Sequence, residues 1–221
     1  MIYLSLGENC LPDDILKRHG IKAFSTPYSP CRSNIDYALI LEKNGYRDLL
    51  NPDRLAVEDS WGKPVVRSRE GFSCSKIYYA AHMNGFEFTH HDPLNSLKNR
   101  ESFQRKIDRL NSIRKSEDIC FFYFHRKNKE SNVGEVRDRL LEFLEFYKNE
   151  SNEVKACLFW QEKISNLNDR GLVTSSSSDG IFEFCFKTEN IWEGNDPEVF
   201  WGRVDEDLIL KMINEVKSFG G

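Results

Sequence analysis

The run Gly7-Glu8-Asn9-Cys10 places a thiol between an apolar hexapeptide and a helix that Pro12 helps to open. A cysteine at a strand-to-helix turn lies near free backbone N–H groups and the positive end of a helix, which favour a thiolate and can hold an oxyanion during acyl transfer. Gly7 lets the backbone turn sharply there. The nearby acids Glu8, Asp13 and Asp14 oppose ionisation, and a small buried cysteine plugging the first turn is the bland alternative. A thiol nucleophile needs a base, usually histidine. His19 falls at a helix end and reads as structural, and His82 has no evident partner. His90-His91-Asp92 closes an apolar stretch before Pro93, and since neighbours in a strand point to opposite faces, one of the two histidines can face a site. His125 and Arg126 end the most apolar segment, Ile119 to Phe124, where they either line a site or face solvent as a polar strand end.

Other chemistries have less support. His90, His91 and Asp92 are metal-ligand types, but adjacent histidines are not a zinc spacing and no Cys-x-x-Cys occurs, so no metal is expected. No glycine-rich phosphate loop or kinase signature is present. Trp192, Phe200 and Trp201 could stack on a sugar or a partner, although aromatics beside Pro197 more often anchor a core. Cys120, Cys157 and Cys185 sit within strand patterns and read as core; Cys31 and Cys74 have no assigned role.

The elements that must position these residues alternate. Ile2 to Leu6 reads as a buried strand, followed by a helix from about Pro12 to Gly20 with acids first and bases last. A second helix is predicted from Asn34 or Ile35 to about Lys43. Residues 51–75 read as an irregular insertion, and Ile77 to Thr89 as a hairpin around Asn84-Gly85. Phe103, Ile107, Leu110 and Ile113 make one face of a helix within Ser96 to Arg114. Ile119 to Phe124 is a strand, Asn132 and Glu135 cap a helix through Tyr147, and Val154 to Trp160 and Ile181 to Phe186 are further strands. Thr174 to Gly180 reads as a loop and Asp207 to Phe219 as a closing helix. This order predicts an α/β fold: three α/β/α layers around a mainly parallel central sheet, spanning residues 1–221 as one domain. Ligands of such sheets sit beyond the carboxyl ends of the strands, which is where Cys10 and His125 fall.

Composition narrows the function. The chain has 221 residues, 39% hydrophobic and 30% charged, with a formal net charge of −4 and no dense basic patch, so neither disorder nor nucleic-acid binding is expected. No apolar run is long enough to span a bilayer, and the first residues lack the basic and apolar regions of a signal peptide. Six scattered cysteines then imply reduced thiols in a cytoplasm.

Leu4-Ser5-Leu6-Gly7-Glu8-Asn9-Cys10, followed by a helix and Pro27, resembles a bacterial family of papain-like cysteine peptidases. The family pattern runs Ser-Leu-Gly-x-x-Cys, Pro-Phe-Asp-Trp, His-Asp, an arginine-rich helix and a strand ending in arginine. It meets Cys10, Pro27-Tyr28, His91-Asp92, Arg105 with Arg109, and Arg126 here, in order over about the first 130 residues. The chain departs from it at Tyr28-Ser29-Pro30, where the acid and the large aromatic are missing. The resemblance implies Cys10 as nucleophile with His91 as base, and admits a papain-like α+β fold as the alternative to three layers. The Gly-x-Asn-Cys turn is also similar to the nucleophile turn of capsule-polysaccharide acetyltransferases and, with serine for cysteine, of SGNH esterases. That similarity implies an oxyanion role for Asn9 and the local backbone, beside the turn made by Gly7.

The combined expectation is a cysteine-dependent hydrolase or acyltransferase. Cys10 attacks a carbonyl, His91 first or His125 second moves the proton, with His90 also near, and Asp92 or Arg126 positions a partner. The substrate is a small molecule, peptide or glycan; no cofactor is expected, apart from an acyl-CoA donor for a transferase. Two other readings are a binding protein for an anionic or glycan ligand held by Arg105, Arg126 and the helix N-terminus, and a domain whose C-terminal aromatics dock a partner chain.

Overall fold

The computed structural model describes residues 1–29, 31–60, 62–68, 76–79, 85–176 and 179–218. Strand β1 (Ile2–Gly7) leads into helix α1 (Leu11–Arg18), and α2 spans Ile35–Asn44. Strands β2 (Leu55–Ser60), β3 (Lys63–Ser68) and β4 (Phe86–Phe88) precede α3 (Leu97–Ser112). Then come β5 (Ile119–Phe124), α4 (Val133–Glu145), β6 (Val154–Lys163), β7 (Gly171–Ser176) and β8 (Ile181–Thr188), a single helical turn α5 (Pro197–Phe200), and α6 (Glu206–Ser218).

The main sheet has the order β1-β5-β6-β8-β7, parallel except for the edge strand β7. Every residue of β5 is buried, as a central strand covered on both faces requires. Alternation along it sends Phe121 and Tyr123 into a core shared with α2, α3 and α4, and Cys120, Phe122 and Phe124 into one shared with α1 and α6. This is the three-layer α/β/α arrangement. Among the described residues, no helix is long and apolar enough to cross a membrane.

The local signals explain the helices. Asn34 caps α2 by accepting from the Tyr37 N–H at 2.9 Å, and Gly45, with φ of 64°, closes it. Asn132 accepts from the Glu135 N–H, and its own amide donates to the Glu135 carboxylate.

Two segments differ from the expectation. Within residues 51–75, β2 and β3 pair antiparallel, and β4 joins them in a second sheet of order β2-β3-β4. The apolar alternation is short and broken by charges, because one sheet face is polar: Arg67 pairs there with Glu58 at 3.0 Å and Glu87 at 2.6 Å. The stretch read as a loop from Thr174 begins instead as the end of β7, whose serines need no core on an edge strand. Asn84 of the expected hairpin turn, together with Cys74 and His82, lies outside the described residues.

On the α2 face the buried Glu42 carboxylate binds helix to helix. It accepts from the hydroxyls of Tyr46 and Tyr147, both at 2.5 Å, and pairs with Arg114, while Tyr28 and Tyr46 share a hydroxyl contact at 2.8 Å. A buried charge is tolerable only with partners of this number. Glu42→Ala strands all of them and is expected to lower the free energy of unfolding by about 3–5 kcal/mol in urea titration. A loss below about 1 kcal/mol would show that the cluster carries little of the packing.

Candidate active site

Beyond the last paired rung of β1 and β5, where Gly7 stands opposite Phe124, Glu8 comes beside His125. Gly7 has a φ of 151°, and a Cβ there would lie 3.3 Å from the Phe124 backbone nitrogen, so glycine is what the close turn requires. Leu4 and Leu6 face the α2 side, and Glu8 follows them by alternation. Its Oε1 contacts His125 Nδ1 at 2.7 Å and accepts from the Tyr123 hydroxyl at 3.0 Å, while Oε2 accepts from the Arg126 N–H at 2.9 Å. The Tyr123 hydroxyl in turn accepts from the Ile35 N–H at 3.1 Å. Glu8 and His125 are both fully buried, so His125 is no solvent-facing strand end. Burial of the carboxylate draws three donors onto it. Nε2 of the ring is buried and has no hydrogen-bond partner among the described residues; a hydrogen on Nδ1 directed at Glu8 leaves Nε2 as the acceptor of that tautomer. The Tyr78 ring stands edge-on to the imidazole at 6.1 Å.

Cys10 is the half-buried N-cap residue of α1, and its carbonyl accepts from the Asp14 N–H at 3.0 Å. The helix end is a poorer anion site than the sequence implied. Asn9 Oδ1 already takes the Leu11 N–H at 3.0 Å, and Pro12 has no N–H to offer. Burial pushes the Cys10 thiol up to about 11; Arg32 opposes this, and Asp13, Glu87 and Asp14 add to it. The resting group is therefore a thiol that needs a base.

The segment from Cys31 to Ile35 runs from this thiol to the Glu8–His125 pair. Cys31 is near enough to Cys10 for the two thiols to feel each other, and Ile35 bonds Tyr123. The preceding turn is fixed to α1, since Ser5 donates to Asp13 at 2.9 Å and shares a contact with Ser29 at 2.8 Å. Among the described residues, no hydrogen bond joins Cys10 to a histidine.

His90, His91 and Asp92 occupy the turn after β4. The Asp92 carboxylate accepts from the backbone and side-chain N–H groups of Asn95, at 2.9 and 3.0 Å, and so closes the turn instead of holding His91. The His91 ring lies edge-on to Phe103 at 5.2 Å, and burial lowers its basicity, with Lys106 acting the same way. These three residues line a cavity of about 590 Å3 with Val66, Phe88 and Asn99, and its lining includes neither Cys10 nor His125. The Arg126 guanidinium lies 3.8 Å over Tyr79 and pairs with Glu193, while Arg105 is on the exposed face of α3. Trp192 is core: it packs against Phe124 and Phe186 and donates to Asp205 at 2.9 Å. Among the described residues, no group of three or more metal-ligating side chains comes together.

Sequence reasoning passed over Glu8 as an orienting group, and over Tyr123, Arg32 and Glu87. The readable signal was an acid at an inward position directly after an apolar strand. Two outcomes test the electrostatics. Iodoacetamide modification of Cys10 is expected to speed up about tenfold per pH unit from about pH 7 to 10, whereas a plateau near pH 8 would reveal an ordinary or activated thiol. His91, its folded value depressed below 6.5, withholds a proton that the unfolded chain binds. Stability is then lost as pH falls from 6.5 through the folded value, and His91→Gln should flatten that slope in acid denaturation.

No curated protein and no solved structure matches the chain. A family profile does match, over residues 1–158, and the family is described as "Putative papain-like cysteine peptidase (DUF1796)". The matched span runs from β1 through α4 into β6 and holds Cys10, Glu8, His91 and His125, so the chain belongs to that family.

Proposed function

We propose that the protein is a cysteine-dependent hydrolase in which Cys10 is the nucleophile, His125 the base and Glu8 the group that orients the base. The observation that carries this reading is the fully buried Glu8–His125 pair, in which Glu8 stands two residues before Cys10 on the same turn and Nε2 of the ring has no hydrogen-bond partner among the described residues. Membership of a family described as cysteine peptidases supports the choice of nucleophile.

The cycle follows from the groups present. Cys10 Sγ attacks the substrate carbonyl and its proton passes to His125 Nε2, since the thiol is not ionised at rest. The tetrahedral intermediate collapses to a thioester, and His125 returns the proton to the leaving group. Water attacks the thioester, its proton goes to His125, and the acid product leaves with Cys10 again a thiol. Glu8 fixes the tautomer of the neutral imidazole and stabilises the imidazolium that forms. Catalytic hydrogen bonds are often long before substrate arrives, so the missing Cys10–histidine bond is compatible with this cycle.

The test is burst kinetics with p-nitrophenyl acetate, with mass spectrometry of the trapped enzyme. An acetyl group on Cys10 is expected, with turnover abolished in Cys10→Ala. His125→Asn should cost about 10²–10⁴-fold, and Glu8→Gln, which fixes the wrong tautomer, as much as about 10⁴-fold. Full activity in Cys10→Ala would overturn the proposal. A loss confined to His91→Asn, with His125→Asn unaffected, would move the base to the 590 Å3 cavity. Acetyl-CoA turnover that requires an added alcohol or amine would make the enzyme an acyltransferase.

A further inference from the structure

The proposed base is closed off from solvent. His125 is fully buried and its Nε2 has no hydrogen-bond partner among the described residues, although that atom must meet both Cys10 and the leaving group in the proposed cycle. Part of its surroundings therefore has to move. The sheet side is fixed, since Glu8 holds Nδ1 at 2.7 Å and the parallel pairing of β1 with β5 brings the two residues together. Against the imidazole stands the ring of Tyr78, itself fully buried, edge-on with centroids 6.1 Å apart.

Residues 76–79 belong to no helix or strand, and they are fastened from the loop that follows β5. Asn128 Nδ2 donates to the Tyr78 carbonyl at 2.7 Å and to the Lys76 carbonyl at 3.2 Å, and Ser131 Oγ donates to the Ile77 carbonyl at 2.7 Å. The two side chains are locked to each other, because the Asn128 N–H donates to Ser131 Oγ at 2.7 Å. The Arg126 guanidinium lies 3.8 Å over the Tyr79 ring, while the Arg126 N–H donates to Glu8. Three consecutive carbonyls are thus held by side chains of one loop, and that loop begins at the residue after the base. The Asn128–Lys76 bond is exposed and the other two are half-buried, so water can replace them. A segment held in this way opens far more easily than the buried central strand beside it.

Resting on the hydrolase reading, we infer that residues 76–79 are a strap over His125, latched by Asn128 and Ser131, which substrate entering the Cys10 site displaces to uncover Nε2. Closed, the strap keeps water from the base. Open, it lets the ring take and return a proton. The substrate drives this change only by binding the open state better than the closed one. Asn128, Ser131 and Tyr78 control access to the base and take no part in bond making.

The experiment measures carbethoxylation of each histidine by diethyl pyrocarbonate on the intact protein, mapped by mass spectrometry. Exposed His90 is the reference for an open ring, and half-buried His91 is the control for general loosening. With an open state populated at about 1%, His125 should react about 100-fold more slowly than His90. Asn128→Ala combined with Ser131→Ala removes all three donors and should speed the reaction at His125 about tenfold or more, with His91 unchanged. Tyr78→Phe keeps the ring and the latched carbonyls and should leave His125 protected. In the unaltered protein, iodoacetamide on Cys10 puts a group where the substrate would sit and should also speed His125 about tenfold. That arm tests the strap even if the double variant fails to fold. The inference is overturned by a His125 as reactive as His90 at rest, by equal acceleration of His91 and His125 in the double variant, or by a His125 rate unchanged after Cys10 is alkylated. Full ester hydrolysis by His125→Asn would overturn the hydrolase reading instead, and the labelling would still report whether residues 76–79 cover the ring.

Discussion

The Glu8 carboxyl group, fully buried where β1 and β5 end, imposes the main constraint on this molecule. Buried there, it takes its three contacts from the end of β5: the His125 ring, the Tyr123 hydroxyl and the Arg126 backbone N–H. Through Tyr123 it also reaches the first turn of α2. Removing one partner of such a group costs several kcal/mol because the other is left buried and alone. The ends of two strands, the start of a helix and the orientation of one imidazole are thereby coupled.

The electrostatics of Cys10 show which of two opposing effects wins. A helix end contributes about 0.3–1 kcal/mol, less than the 1.36 kcal/mol that equals one pKa unit. Desolvation outweighs it, moving the thiol from 9.0 to about 11, and the donors of α1 are further depleted by Asn9 and Pro12. In the proposed cycle the Cys10 group stays a thiol until a base removes its proton. That places the chemical burden on a histidine, and the best-anchored histidine is the one that Glu8 holds.

The small sheet β2-β3-β4 has one polar and one apolar face. Its polar face carries Glu58, Arg67, Ser60 and Glu87, and this row anchors Arg32. Its apolar face, with Val57, Val66 and Phe88, forms the wall of the cavity that His91 and Asp92 line. The two histidine clusters weighed at Cys10 thus differ in their bonding: Asp92 holds Asn95 and closes a turn, while Glu8 contacts the His125 ring.

Much of the framework was legible in the sequence because it follows from local rules. The alternation of apolar strands with capped helices predicted the parallel sheet, and the run Ile119 to Phe124 marked its fully buried strand. The charged strand pair β2–β3 and the serine-rich β7 were not legible, since one has a face satisfied by ion pairs and the other lies on an edge. At the site, the sequence by itself determined the thiol, its turn and the residue types able to move a proton. Only the tertiary structure decided which of them meet. Glu8 and His125 are 117 positions apart, and the register of two parallel strands brings them together. Burial, which no spacing encodes, then sets the ionisation of the thiol and the need for its partners.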